Sequence, residues 1–177
     1  MDSAKRLLPM PSRIITLRFR DIERNKGDTI REHRRMIDSV GHCWWGWLFK
    51  DIELSPHREL AAIDKDLRST GDPSYAVVLY HTGLGRIYQA TCAELVVAGT
   101  PIRSPQVEFT PNYYRDKRAP AWFKLTAIED VDVGVLVGRT CVSMPSASED
   151  CFTDLVGQKI KKVNDLRRQE VTLWILS

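Results

Sequence analysis

Residues 42–50 read His42-Cys43-Trp44-Trp45-Gly46-Trp47-Leu48-Phe49-Lys50 and place three of the chain's five tryptophans within four positions. Tryptophan is large and only partly apolar, so such a cluster either anchors a core or builds a stacking surface for a ligand. The segment reads as a strand. Side chains alternate along a strand, so Trp45 and Trp47 share one face while Trp44 points the other way beside Gly46. One face can then pack inward while the other lines a pocket; the plainer alternative makes all three core anchors. Gly46 leaves a gap in the aromatic wall on the Trp44 side, and the expected ligand position is there, beside the region from Tyr113 to Trp122.

On the N-terminal side, Arg13 to Arg20 is a β-branched strand with Ile15, Leu17 and Phe19 on one face and Arg18 and Arg20 on the other. Thr29, with Glu32 three residues on, forms a capping box. The helix it starts carries Ile30, His33, Ile37 and Val40 on one side and stops at Gly41. Residues 1–12, with Pro9 and Pro11, form a flexible arm. Downstream, a second helix covers 57–69 with Leu60, Ile63 and Leu67 as its stripe and Gly71-Asp72-Pro73 as its stop. Tyr75 to Tyr80 and Arg86 to Cys92 make a hairpin that turns at Thr82-Gly83-Leu84-Gly85. Residues 99–120 hold four prolines and read as a long irregular connection, a kind of loop that is more often functional than decorative. Ala121 to Ile128, Val133 to Val142 and Val171 to Leu176 are further strands, and 152–168 is a third helix. Strands joined by hairpins and loops, with few helices between them, indicate the α+β class: a small mixed β-barrel flanked by about three helices, in one domain over residues 13–177. The apolar ending just before Ser177 suggests the N-terminal part of a longer protein.

Composition narrows the function. A chain of 177 residues with 43% apolar and 28% charged residues is that of a soluble globular domain. No apolar run approaches the roughly 18 residues of a membrane span, and the start lacks a signal-peptide core, so a cytoplasmic location without membrane partners is expected. Cys43, Cys92, Cys141 and Cys151 include no Cys-x-x-Cys pair and read as buried reduced thiols. Asp64 and Asp66 point to different sides of their helix and make a poor metal pair. Gly-x-Ser-x-Gly, Walker, His-Glu-x-x-His and Gly-x-Gly-x-x-Gly patterns are missing, so neither an enzyme nor a cofactor is indicated. A net charge of +3 is mild, and any role with nucleic acid needs that charge clustered.

Three constellations could carry the chemistry, the second and third of them by clustered charge. The first is Trp44, Trp45, Gly46 and Trp47, with His33 just upstream on the apolar side of its helix. A flat base stacks on an indole, worth roughly 1–3 kcal/mol per base. The second is Asn112-Tyr113-Tyr114-Arg115-Asp116-Lys117-Arg118, leading into Trp122 and Lys124, where cations can meet phosphates and rings can meet bases. The third is the basic face of the first helix, Arg31, Arg34 and Arg35, together with Arg18 and Arg20 from the strand before it. Each also has an ordinary structural reading: a solvated helix face, a sealed loop, a satisfied core histidine.

The order of a strand, a capped helix, an aromatic strand, a second helix, a hairpin and an Ala121-Trp122-Phe123-Lys124-Leu125 strand resembles the PUA-like superfamily, near its EVE, YTH and ASCH branches. The resemblance implies a mixed barrel that holds a nucleobase, sometimes a modified one, in an aromatic pocket. The Trp44-Trp45-Gly46-Trp47 pattern is also similar to bacterial sensor domains that precede calcineurin-like phosphoesterase or nucleotidyl-cyclase modules, although the metal-binding Asp, His and Asn sets of a phosphoesterase are not found. The expectation is a non-catalytic recognition domain for a nucleobase in nucleic acid or a nucleotide. The alternative is a regulatory, protein-interacting domain that controls a fused or partner effector enzyme.

Overall fold

The computed structural model describes residues 7–21, 28–152 and 154–177. Among these residues seven strands form one mixed sheet: β1 (Ile14–Phe19), β2 (Cys43–Gly46), β3 (Tyr75–His81), β4 (Arg86–Ile102), β5 (Ala119–Val131), β6 (Cys141–Ser143) and β7 (Leu173–Leu176). Their order is β2-β5-β4-β3-β1-β7-β6. Only β1 and β3 run parallel; the other pairs are antiparallel. Helices α1 (Asp28–Val40) and α2 (His57–Arg68) are followed late in the chain by a single turn, α3 (Asn164–Arg167). The class is α+β, as expected. The hydrogen-bonded ladder, however, is open, with β2 and β6 at its two edges.

Side chains and loops join the two ends of this open sheet. The amide of Trp47 extends the β2 pairing by donating to the Ala121 carbonyl at 3.0 Å. Its indole Nε1 crosses to the β7 side and donates to Thr172 Oγ1 at 2.9 Å. The Leu54 amide donates to the Ser146 carbonyl at 2.7 Å. Between them lies Glu53, a 3% exposed carboxylate. It accepts from the Thr172 amide at 2.7 Å, from Ser146 Oγ at 2.8 Å and from the Lys50 amide at 2.8 Å. The barrel expected from the strand pattern is thus an open sheet with a polar seam where the last ladder would be.

Two cores lie on opposite faces. The first takes Ile15, Leu17, Val77, Leu79, Phe123 and Ile175, together with Trp45 and Trp47. Helix α2 adds Leu60, Ile63 and Leu67, and α1 adds Ile30 and Ile37. Each such side chain contributes about 1.5–3 kcal/mol by leaving water. The second core takes the alternate residues Ile14, Val78 and Trp174, covered by Leu136, Leu155, Ile160 and Leu166. Strands buried on both faces read as continuous apolar runs, which is the case for β1, β3 and β7.

Several element boundaries differ from the sequence reading. Helix α1 begins no later than Asp28, so Thr29 lies inside its first turn and does not cap it; the Thr29 amide is taken by Asp21 Oδ1 at 3.1 Å. Val40 is 46% exposed and lies off the apolar stripe. Strand β4 continues to Ile102, because the register shift between Val97 and Ile102 leaves Pro101 without a ladder bond to make. Val133–Val135 is a 3-10 turn held by Asp132, whose carboxylate accepts from the Gly134 amide at 2.7 Å, so only Cys141–Ser143 remains of the strand expected there. Residues 154–163 are not helical. Gly157 has φ +84°, and the Gly157 amide and the Gln158 carbonyl both bond Cys141 across the chain. Of the expected arm, residues 1–6 lie outside the described set; the Leu8 carbonyl accepts from Gln89 Nε2 at 2.6 Å and Met10 packs on the second core.

Candidate nucleic-acid interface

Where β1, β2 and the seam converge, the sheet leaves a cavity of about 720 Å³. Its apolar lining is Leu48 and Phe49, both half-buried, backed by Phe19, Trp45, Trp47 and Tyr114, which are themselves buried in the fold. Among the described residues, five cations stand around that wall, Arg18, Arg20, Lys50, Lys117 and Arg167, against one carboxylate, Asp51. The volume is in the range that accommodates a small molecule or a nucleoside. The surplus of positive charge in a partly enclosed space focuses the field and favours an anion.

Each wall is fixed by the fold. Trp45 is 1% exposed and packs edge-on against Phe19 at 4.9 Å between ring centroids. His33 from α1 lies behind it at 4.5 Å and meets Tyr114 edge-on at 5.4 Å. His33 Nδ1 donates to the Thr29 carbonyl at 2.7 Å, and Nε2 is buried without a hydrogen bond. Burial holds this imidazole down at about 4, with the backbone of Thr29 and Trp44 opposing the shift in part. It is therefore neutral at physiological pH and supports the aromatic wall from outside the cavity. Arg18 is braced by Thr82 Oγ1 at 2.8 Å and by the Gln169 carbonyl at 3.2 Å, and burial pulls its pKa down. An arginine so held stays charged and pre-oriented.

His33 also sets an expected pH dependence. A histidine whose folded pKa lies below its unfolded value contributes stability that is complete above about pH 6.5 and is lost as pH falls toward about 4. Between neutral pH and pH 5 the loss should be about 2 kcal/mol. Urea midpoints of the wild type and His33→Gln at both pH values check this: the slope with pH should flatten in the variant, and an unchanged slope would reject the assignment.

The structure brings together only some of the residues singled out in the sequence. Trp45, Gly46, Trp47, Tyr114, Arg18 and Lys117 line the cavity. Trp44, Trp122 and Lys124 lie on the opposite face of β2 and β5. There Trp44 and Trp122 form a third, small core with Ala119. Trp44 Nε1 donates to Gln106 Oε1 at 2.8 Å, Trp122 Nε1 donates to the Ile102 carbonyl at 2.9 Å, and Lys124 pairs with Glu94 at 3.7 Å. The gap expected beside Trp44 is filled, because Trp122 is the cross-strand partner of Gly46. A Cβ at Gly46 would lie 2.8 Å from the Trp122 ring. The ligand position expected on the Trp44 side is thus occupied by packed protein, and the open space lies on the Trp45–Trp47 side.

The other residues serve the fold or the surface. Tyr113 packs on Tyr114 at 4.9 Å, outside the cavity. Arg34 ties α1 to β5 by donating to the Ile128 carbonyl at 2.9 Å and pairing with Asp130 at 2.7 Å. Arg31 pairs with Asp28, and Arg35 pairs with Glu32 at 2.7 Å. Arg115 Nε donates to the Thr110 carbonyl at 2.9 Å, and Arg118 is exposed. Lys50 and Arg167 were not singled out beforehand. Lys50 closes the aromatic stretch, and Arg167 lies in a lysine- and arginine-dense run that ends at Arg168, so both carried a signal.

Beside the cavity, His81 and Asp21 form a buried pair at 2.8 Å. His81 Nδ1 accepts from the Leu84 amide at 3.2 Å, so Nε2 carries the proton toward Asp21. With both ring nitrogens engaged, His81 is a structural tie and holds no free nitrogen for a substrate. Among the described residues no cluster of three or more His, Cys, Asp or Glu could hold a metal, and no helix is long and apolar enough to cross a membrane.

No curated protein and no solved structure matched the chain. A family model described as Pua-like covers residues 15–177, from the first strand through the seam to the last residue. Its members are generally RNA- or nucleotide-recognising domains and typically non-catalytic. With a mixed sheet of the kind described and a family match over nearly its whole length, the chain belongs to the Pua-like family.

Proposed function

We propose that this protein is a non-catalytic recognition domain that takes a nucleobase, plain or modified, into the Trp45–Trp47 cavity, either from nucleic acid or as a nucleotide. The observation that carries the reading is the meeting of an apolar wall, backed by buried aromatic rings, with five cations of the described residues around one space of about 720 Å³. A base needs an apolar, flat-walled slot, and its phosphate needs fixed positive charge at the mouth. Arg18, half-buried and braced from two sides, supports a fixed phosphate contact; Arg20, Lys50 and Lys117, all exposed, support contacts at the rim. A modified base would gain from extra apolar surface against Leu48 and Phe49, the half-buried part of the lining. A reducing, cytoplasmic setting belongs to the same reading and is supported by four unpaired cysteines, three of them buried.

Equilibrium binding of labelled mononucleotides and single-stranded oligonucleotides at low and moderate salt tests the proposal. Binding that weakens with salt is the expected result. Failure of every nucleotide and oligonucleotide to bind at low salt would remove the reading.

A further inference from the structure

A second cleft, of about 400 Å³, lies on the other side of the segment that carries Arg167. Lys159, Lys161, Lys162 and Arg168 line it. These belong to the stretch from Lys159 to Arg168, which holds five cations and one aspartate in ten residues. All four side chains are exposed, and none forms an ion pair with the described residues. Both carboxylates of the cleft are already occupied. Asp165 Oδ2 accepts the amides of Lys161 and Lys162 at 2.9 and 3.0 Å, and Asp154 Oδ1 accepts from Gln169 Nε2 at 2.6 Å. The acids therefore shape the turn that displays the lysines, and the lysine charges face solvent unpaired.

The two spaces share a wall. The backbone carbonyl of Gln169 holds Arg18 at the cavity, while the Gln169 side chain lines the second cleft. Arg167 faces the cavity, and its neighbour Arg168 faces the cleft. Cations thus line both spaces on either side of the α3 turn, Arg18 and Arg167 at the cavity and Arg168, Lys159, Lys161 and Lys162 at the cleft. An aromatic lining is missing from the second cleft, so it is suited to phosphates and not to bases.

We infer that the Lys159–Arg168 cleft is a second binding site, for the sugar-phosphate backbone of a single-stranded nucleic acid whose base occupies the Trp45–Trp47 cavity. The inference rests on the nucleobase reading of that cavity. It adds that the ligand is a strand several nucleotides long and not a free nucleotide, with the flanking phosphates crossing the α3 turn.

The test uses the triple variant Lys159→Gln, Lys161→Gln, Lys162→Gln, whose exposed side chains can change without touching either core; a thermal melt checks the fold. Its binding to a 5′-mononucleotide and to a single strand of about 12 nucleotides is compared with the wild type over a salt series. The mononucleotide should bind both proteins equally. The strand should bind the variant about tenfold or more weakly at low salt, with the slope of log K against log salt reduced by about 2 for three lost phosphate contacts. A strand affinity and slope equal to those of the wild type would overturn the inference. The variant Arg20→Gln, Lys117→Gln, run in parallel, reports on the cavity alone. If it binds both ligands as the wild type does while the lysine variant loses the strand, the cavity reading fails and the cleft stands.

Discussion

Replacing Glu53 with alanine should lower folding stability by about 3–5 kcal/mol, a loss on the scale of breaking a buried charged network. Glu53 is 3% exposed and receives the Thr172 amide, the Thr172 hydroxyl, the Ser146 hydroxyl and the Lys50 amide. Truncation leaves these donors facing a void, and each buried unsatisfied group costs about 1–3 kcal/mol. The damage falls on the cavity, because Trp47, Lys50 and Thr172 line it and all belong to the seam that Glu53 ties. Glu53→Gln keeps one acceptor oxygen and should lie between the alanine variant and the wild type. Arg35→Gln, an exposed change on α1, should stay within about 0.5 kcal/mol of the wild type. Urea unfolding of the three variants measures this. A wild-type midpoint for Glu53→Ala would mean that the seam does not hold the sheet ends together.

Neutralising two rim cations, Arg20→Gln with Lys117→Gln, should weaken nucleotide binding by about 150-fold at low salt, since each lost charge-assisted contact is worth about 1.5 kcal/mol at an exposed rim, the low end of its range. Both side chains are exposed at the cavity mouth, and neither pairs with a carboxylate of the described residues, so stability should change little. Arg34→Gln and Arg31→Gln are the contrasting variants, because Arg34 already answers Asp130 of β5 and Arg31 answers Asp28 at the start of α1. Their effect on binding should be small. Isothermal titration at two salt concentrations separates the cases. Equal losses from the α1 variants and the rim variant would point to diffuse attraction and not to a cavity.

Much of the scaffold was legible because it obeys simple periods. Helix α2 buries Leu60, Ile63 and Leu67, the stripe that its spacing marks. Strands β1 and β3 stand out as β-branched and apolar runs. The C-terminal third was less legible for a physical reason. Its apolar residues, Leu136, Leu155, Ile160 and Leu166, cover the back of the sheet from turns and irregular segments, so their spacing follows the sheet beneath them and no helical period. Gly138 and Gly157, with φ of +86° and +84°, break the strand and the helix that composition alone suggests.

The candidate site was legible in its chemistry but not in its side. Alternation along β2 separates Trp44 from Trp45 and Trp47, and the structure keeps that division. The occupant of the space above Gly46 depended on the strand pairing that sets Trp122 opposite it, a contact between residues far apart in the chain. Likewise, Arg167 and Lys50, far apart in the chain, line one cavity only in the folded sheet. Local patterns report which residues share a face; long-range pairing decides which face stays open.

The central claim is that ligand enters on the Trp45–Trp47 side of β2. Nuclear magnetic resonance of the five indole Nε1–H groups, during titration with a single-stranded oligonucleotide, tests it most directly. The Trp45 and Trp47 signals should shift and saturate together, while Trp44 and Trp122, bonded to Gln106 and to the Ile102 carbonyl on the far face, stay in place. Shifts at Trp44 and Trp122 with Trp45 and Trp47 unmoved would contradict the claim.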